Sequence, residues 1–436
     1  MSYAILIDVG GTFLKGTTVD LASQQLNSIV RRGGPPLRLS TDGSATLDAI
    51  HLRQAVHDLC RELVATTGDS PKAIFVSGQM HGVVLTDQAG NPKSDVVTWR
   101  DSLSSRINER EVSPTSIIRE RCGAADLMSF GNELREGLPL ATLTSRRTRG
   151  LHVAGLIPHS LISYCASSLI NFSQEPLMHS TDAAAHGFYR VATNSWGDEV
   201  LEQLGLAGLV LPRVVKDVEP YGTSQEFNCS VYIAVGDQQA SLYSMNLERN
   251  EVSLNIATGS QVTKLLDSPN SPAQLRPYFH GKFISTVTHV PAGRALNVLV
   301  NLVGELSGLE SDKLWEEIAM KTIAERTSTL NVDLAFFPSV SGSSGEVADI
   351  TETNFTVGKL FRSAVHEMAM QYRRFTTELF PLDDFNAVVI SGGLATRFSP
   401  LMEEIKAIFG ECSYRISTSE DATLRGLARI SGQLLR

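Results

Sequence analysis

A two-domain α/β fold with a ligand crevice between its halves is what this sequence predicts, on three observations. The chain has 436 residues, and a single core stops growing at roughly 250 to 300 residues, beyond which chains divide. Strand-like runs alternate with helix-like ones along the whole length. Several of the strand-like runs end in glycine, serine or aspartate, the arrangement in which loops at strand ends line a crevice. The composition, 42% hydrophobic and 19% charged, is that of a globular α/β chain rather than of a disordered or fibrous one.

Residues 4–7 and 14–19 read as strands joined by a glycine turn, and residues 26–30 complete a meander. Leu52, Val56, Leu59 and Leu63 recur at helical spacing, so residues 45–66 read as a helix with one apolar face. Cys60 lies beside that stripe and belongs to the core. A strand over 73–76 follows. In the second half, residues 231–235, 252–256 and 387–390 read as strands, and helical patterns occupy 314–324, 357–379 and 422–435. Residues 151–174 lack Asp, Glu, Lys and Arg but contain Pro158, two histidines and several serines, which fits a buried helix better than a membrane span. Turn residues at 222–230 set the boundary, dividing the chain into domains 1–226 and 227–436.

The net charge of −9 comes without any basic block. Nucleic acid is therefore excluded as a partner, because phosphate neutralisation needs a basic stripe. Cys60, Cys122, Cys165, Cys229 and Cys412 are far apart and form no C-x-x-C pair, which points away from a zinc knuckle or disulfide framework and toward a reducing cytoplasm. The first residues show neither a basic region nor a small-residue cleavage site.

Six short segments carry candidate chemistry. Asp8-Val9-Gly10-Gly11-Thr12 puts an acid at a strand end and two glycines in the turn, so backbone can approach phosphate oxygens, Thr12 adds a hydroxyl and Asp8 can hold Mg²⁺. Lys15 is the first cation after that turn, placed either to reach a phosphate or to sit solvated on its strand. Ala257-Thr258-Gly259-Ser260 can supply an opposite phosphate wall, and Ser391-Gly392-Gly393 a surface on which a flat base lies. Gly236-Asp237-Gln238-Gln239-Ala240 places a carboxylate where a helix begins, able to accept a hydroxyl proton or simply to cap the helix. Gly78-Gln79-Met80-His81-Gly82 and Trp99-Arg100-Asp101 combine an aromatic face with amide, imidazole and carboxylate groups, the mixture a sugar site needs. Taken singly, each has an ordinary reading as a turn, a cap or a structural histidine. Neither a P-loop nor a G-x-G-x-x-G fingerprint accompanies them.

Together and in this order, the six segments resemble the FGGY carbohydrate kinases, over nearly the whole chain. The resemblance implies an actin-like fold of two ribonuclease-H-like domains that close on ATP, Mg²⁺ and a small sugar. It implies that Asp237 is the general base, that Asp8 and Asp237 are the metal carboxylates, and that Gly10, Gly11, Thr12 and Lys15 face the phosphates opposite Thr258 and Gly259. Gly392 and Gly393 then contact adenosine, and Gln79, Met80, His81, Trp99 and Asp101, with Asp237, contact the sugar. Gly-Gln-Met-His-Gly is similar to the xylulokinase and sedoheptulokinase side of the family, and Arg276-Pro277-Tyr278-Phe279 to sedoheptulokinases. A ketose is thus expected over glycerol. The expected partners are that sugar and, in a homodimer, a second copy of the chain, with no membrane. The chain departs from the family at Gly342-Ser343-Ser344-Gly345, where many members carry Gly-Glu-Arg, and at Arg106, which follows the tryptophan motif later than usual. Two other readings compete. A different actin-like phosphotransferase of the ROK type would carry a cysteine-rich zinc element, and a catalytically reduced relative would bind ligand without turnover.

Overall fold

The computed structural model describes residues 2–11, 13–107, 112–417 and 421–435. Two mixed sheets organise it, and their strands are numbered here in chain order. The first contains β1 (Tyr3–Val9), β2 (Phe13–Asp20), β3 (Val30–Gly33), β4 (Ala73–Gly78), β5 (Pro220–Ser224), β6 (Cys229–Tyr232) and β7 (Val235–Gly236). The second contains β8 (Glu251–Ile256), β9 (Ser260–Leu266), β10 (Gln274–Pro277), β11 (Phe283–Val290), β12 (Ala387–Ser391) and β13 (Ser413–Ile416). The spatial orders are β5-β6-β4-β1-β2-β3 and β10-β11-β9-β8-β12-β13, with β7 paired to β4. In the first sheet the three antiparallel strands β1–β3, and in the second the four antiparallel strands β8–β11, are followed by two parallel strands, the first of which pairs with the first of the set, as β4 with β1 and β12 with β8. This is the two-domain actin-like fold.

Nine helices concern the argument: α1 (Ala49–Thr67), α2 (Leu161–Leu169), α3 (Asp237–Ser244), α4 (Gly293–Ser307), α5 (Ser311–Ala324), α6 (Val357–Leu379), α7 (Gly393–Arg397), α8 (Ser399–Phe409) and α9 (Ala422–Leu434). α1 starts where the Asp48 carboxylate caps the His51 N–H and stops at Gly68 with φ 74°, the left-handed conformation that glycine adopts freely. Its Leu52, Val56, Leu59 and Leu63 pack with α2 on the face of the first sheet that carries Ile5, Ile7 and Val76. The opposite face, with Ala4, Leu6 and Phe75, joins α3 and α9 in a core shared with Leu265, Ile284 and Val389 of the second sheet. α6, α4, α5 and α8 cover the far side of the second sheet. The central strands are buried on both faces, which is why they read as unbroken apolar runs rather than alternating ones.

α3 and α9 form the joint between the halves. Gly426 of α9 sits where an added Cβ would strike the Ala240 carbonyl of α3, so the two helices meet backbone to backbone. Residues of the stretch between β4 and β5 build a further core from Val83, Ile118, Leu140 and Val200.

Several expectations need correction. The strand expected over 231–235 to open the second half belongs to the first sheet, since β6 and β7 both pair with β4. The division between 226 and 227 therefore falls inside the β5–β6 hairpin, and the second sheet begins at Glu251. The third strand lies at Val30–Gly33 and not at 26–30, where Leu26 makes only an isolated bridge with Val19. Residues 45–47 form a short strand before α1. The stretch 151–174 is not one helix, because Pro158 sits in the strand Ile157–His159 and α2 follows. All five cysteines are free, with Cys60 in the core. No helix among the described residues is long and apolar enough to cross a membrane.

Candidate active site

The strand ends of the first sheet bring two acids together. Asp8 lies on β1 between Lys15 of β2 and Ser77 of β4 in register. The chain then turns through Gly10, whose N–H bonds the Phe13 carbonyl at 3.1 Å, and Gly11, where a Cβ would stand 2.9 Å from the Gln79 Oε1. A side chain at Gly11 would therefore crowd the Gln79 amide, so glycine there keeps the turn and the 79–82 loop in contact. Thr12 lies outside the described residues. Asp237 opens α3 with Gly236 as its N-cap, and its Oδ1 accepts the Gln238 N–H at 2.7 Å.

Both acids have raised pKa values. Burial pushes Asp8 up to about 6, against the pull of Lys15 and with a further push from Asp421. Burial pushes Asp237 up to about 7, helped by the negative Asp8 and opposed by the Gln238 amide and Arg276. Asp8 thus adds to the cost of charging Asp237, and a cation beside the two carboxylates would relieve it. Lys15 does not reach a phosphate site freely: its Nζ is 3.0 Å from Asp421 at the head of α9, which Arg31 also approaches at 3.4 Å.

Beside Asp237 lies a polar pocket lined by Met80, His81, Glu133, Thr181 and Arg276, with room for about 10 Å³ in this conformation. Met80 packs toward Gly236, where a Cβ would stand 2.5 Å from its sulfur. His81 has φ 70° and a largely buried side chain, and burial and the Arg135 charge lower its pKa to about 4 despite Glu133. Its Nε2 is 3.7 Å from Glu133. Burial alone would raise Glu133, but Arg276, His81 and Arg135 outweigh it and hold the carboxyl well below the usual range. Arg276 is the connector: it donates to Glu133 at 2.9 Å, to Gln238 at 2.7 Å and to Gln274 at 3.2 Å. Glu133 and Arg135 were not singled out by sequence, Gln238 was named only as part of the segment around Asp237, and Arg276 only within a resemblance.

Of the remaining sugar candidates, Trp99 is 44% exposed and donates its indole N–H to Gln79 at 3.2 Å, which joins those two side chains. Asp101 departs from its expected role. It is 1% exposed, and its two oxygens accept the Ala45 and Leu103 backbone N–H groups, with Arg146 at 3.9 Å. It fixes the loop beneath Trp99 instead of facing a pocket.

Across the joint, a cleft of about 180 Å³ runs from Asp237, Gln238 and Ser241 to Asn255, Gln261 and Thr263 of the second sheet. Thr258 and Gly259 form the exposed tip of the β8–β9 hairpin, and the Ala257 and Thr258 carbonyls accept the N–H groups of Gly293 and Arg294 at the head of α4. Ser260, expected to add a hydroxyl here, spends it on Tyr372 at 2.7 Å in the core. Gly392 has φ 98°, and a Cβ there would strike the Ile256 carbonyl; Gly393 and Gly259 have nothing within 4 Å of an added Cβ. Glycine is thus obligatory at Gly392 on packing grounds, while Gly259 and Gly393 leave open backbone at the same sheet end. Of the two family departures, Arg106 binds the Thr41 carbonyl at 3.1 Å, and Ser341, beside Gly342, bonds Gln371 at 2.8 Å.

This donor set fits a nucleotide with a divalent cation. Magnesium is commonly held by one or two carboxylates plus substrate phosphates, and Asp8 and Asp237 are two carboxylates of the kind it would need, with no larger metal-ligating cluster among the described residues.

No family model matches the chain. The chain is 23% identical to the sedoheptulokinase of Homo sapiens over 410 residues, 83% of this chain and 81% of that one. It is 24% identical to the xylulose kinase of Streptomyces rubiginosus over 272 residues, 59% of this chain and 53% of that one. Its fold matches the glycerol kinase of Plasmodium falciparum, solved with ADP, with a TM-score of 0.84 at 15% identity, covering 100% of this chain and 90% of that one. These relatives in sequence are kinases of ketoses, and the fold is shared with a kinase of glycerol. The resemblance seen in the six ordered segments is thereby matched across the length of the chain.

Proposed function

We propose that the chain is an ATP-dependent ketose kinase that transfers the γ-phosphate of ATP to a hydroxyl of a sugar of the sedoheptulose kind. As a relative of named kinases it is a phosphotransferase with an alcohol acceptor. One observation carries the finer reading: Asp237, partly buried and with its pKa raised to about 7, lines the cleft that opens on the second sheet, and its neighbour Gly236 packs against Met80 and Thr181 of the His81–Glu133–Arg276 pocket. A carboxylate poised near neutrality can take the proton of a sugar hydroxyl as its oxygen attacks the γ-phosphorus and ADP leaves. Gln79, Met80, His81 and Trp99 orient the sugar, joined by Glu133 and Arg276. Gly10, Gly11 and Asn255 flank the phosphates, and Thr258, Gly259, Gly392 and Gly393 present backbone to the nucleotide. Asp8 and Asp237 would hold Mg²⁺, which would neutralise charge on the phosphates. A ketose of seven carbons is favoured because the likeness to sedoheptulokinase covers more of the chain than that to xylulose kinase.

The test is ADP formation measured against sedoheptulose, xylulose, gluconate and glycerol. Ketose-dependent turnover is expected, with the highest kcat/KM for sedoheptulose and the lowest for glycerol. If no sugar raises ATP consumption above the sugar-free rate, the reading fails.

A further inference from the structure

The catalytic candidate is held from behind by a short chain of hydrogen bonds. β7 delivers the chain to Asp237 through Gly236, a residue with no side chain to cap its own helix, and with Met80 and Gln239 too close for one. The Gly236 N–H is instead held by the Thr181 Oγ1 at 3.1 Å. Thr181 lies on the short helical turn after the Leu177–His179 strand, and it is itself held by His179.

The proton positions in this chain of contacts are fixed by chemistry. The Thr181 backbone N–H points at the His179 Nδ1 at 3.2 Å, and a backbone N–H only donates, so Nδ1 is the unprotonated nitrogen. The ring proton is then on Nε2, which faces the Lys216 carbonyl, an acceptor, at 3.0 Å. With Nδ1 an acceptor, the Thr181 hydroxyl at 2.8 Å donates to it and keeps its lone pairs for Gly236. The sequence of donors runs without conflict from Gly236 through Thr181 and His179 to Lys216. His179 and Thr181 are 0% and 1% exposed, so water does not compete for these groups. Burial lowers the His179 pKa to about 4, with the Lys216 carbonyl and Asp217 opposing, and the ring stays neutral in the range where the enzyme would work.

We infer that Thr181, oriented by His179, is a positioning residue for Asp237: it fixes the strand-to-helix step at Gly236 and so the direction in which the base presents its carboxylate. Thr181 also lines the polar pocket, which gives this strut a place on the sugar side of the site. The inference deepens the kinase reading and rests on it for the role of Asp237, but the strut itself can be read without any substrate.

The experiment compares Thr181→Val, which keeps the shape and removes the hydroxyl, with Thr181→Ser, which keeps the hydroxyl. Amide hydrogen exchange is followed in the peptide covering residues 233–240, and steady-state kinetics are run with ATP and sedoheptulose. In Thr181→Val the Gly236 amide is expected to exchange at least tenfold faster, and kcat to fall at least tenfold with the KM for ATP within twofold. Thr181→Ser is expected to restore both to within twofold. If Thr181→Val exchanges like the parent protein, or exchanges faster while kcat is unchanged, the inference is overturned. A parent protein inactive on every sugar sinks the kinase reading alone, and the exchange data still decide whether the strut exists. Should Thr181→Val not fold, faster exchange in His179→Gln, which disturbs the orientation of the hydroxyl, supports the strut, and unchanged exchange there overturns it.

Discussion

The two sheets share a topology and differ in charge where their strands end. In the first, Asp8 stands in register with Ser77; in the second, Asn255 stands in register with Ser391. Cross-strand, Asp8 faces Lys15 and Asn255 faces Gln261. Each sheet then feeds a helix that opens beside an aspartate, Asp237 for α3 and Asp421 for α9. Asp421 is spent on Lys15 and Arg31. Asp237 instead accepts one backbone amide and sits near a second acid. The geometry is duplicated and the charge is not. One half thus offers acids where a proton and a cation must be handled, and the other offers neutral amides and hydroxyls, which suit a polyanion that acids would repel.

The largest effect should come from breaking that asymmetry. Asp8→Asn makes the first strand end resemble the second and is expected to lower kcat on the order of a hundredfold or more, a loss typical of a removed group that stabilises transferring phosphate. Asn255→Asp does the reverse and is expected to raise the KM for ATP about tenfold by setting a like charge against the phosphates. Steady-state kinetics with varied ATP separate the two.

A second prediction concerns stability. The folded pKa of Asp237, about 7, lies above its ordinary value of 3.8, so the folded state holds the proton more tightly than the unfolded chain. Stability from this group is present below pH 4 and lost as pH rises through 7. Asp237→Asn removes the buried charge and should be more stable than the parent at pH 8 by on the order of a few kcal/mol, the gap closing toward pH 4. Thermal unfolding across that range checks it.

The smallest effects sharpen the comparison at the glycines of the second sheet. Gly392→Ala must force a Cβ against the Ile256 carbonyl at φ 98°, and a cost of roughly 2 kcal/mol or more is expected in denaturant unfolding. Gly259→Ala meets open space and should stay within about 0.5 kcal/mol of the parent, with its effect confined to the KM for ATP.

What the sequence made legible follows from the range of each interaction. The glycine turn after Asp8 and the carboxylate at Asp237 are local signals, a strand end and a helix start, and both stand where the spacing put them. The helical stripe of α1 and the long α6 were equally local. Glu133, Arg135 and Arg276 were not visible as a cluster, because their meeting depends on a loop of one half reaching an edge strand of the other, and single charges separated by over a hundred residues carry no periodicity. Asp101 read as a sugar ligand because its neighbour Trp99 did; only the fold shows its oxygens turned to the Ala45 and Leu103 amides. Lys15 read as either a phosphate contact or a solvated lysine, and not as an ion-paired one, because Asp421, its partner, enters from the far end of the chain. The boundary was misplaced for a related reason: β6 is apolar and follows a turn, but whether a strand pairs backward to β4 or starts a new sheet is decided by partners that the local pattern does not name.

The central claim is that Asp237 takes the proton from a ketose held against His81 and Arg276 while ATP lies toward the second sheet. Ketose-dependent ADP formation by Asp237→Asn, with ATP affinity measured alongside, tests it most directly. A fall in kcat of roughly 10² to 10⁴ with unchanged ATP affinity is predicted, the usual contribution of a general base; turnover within about twofold of the parent would contradict it.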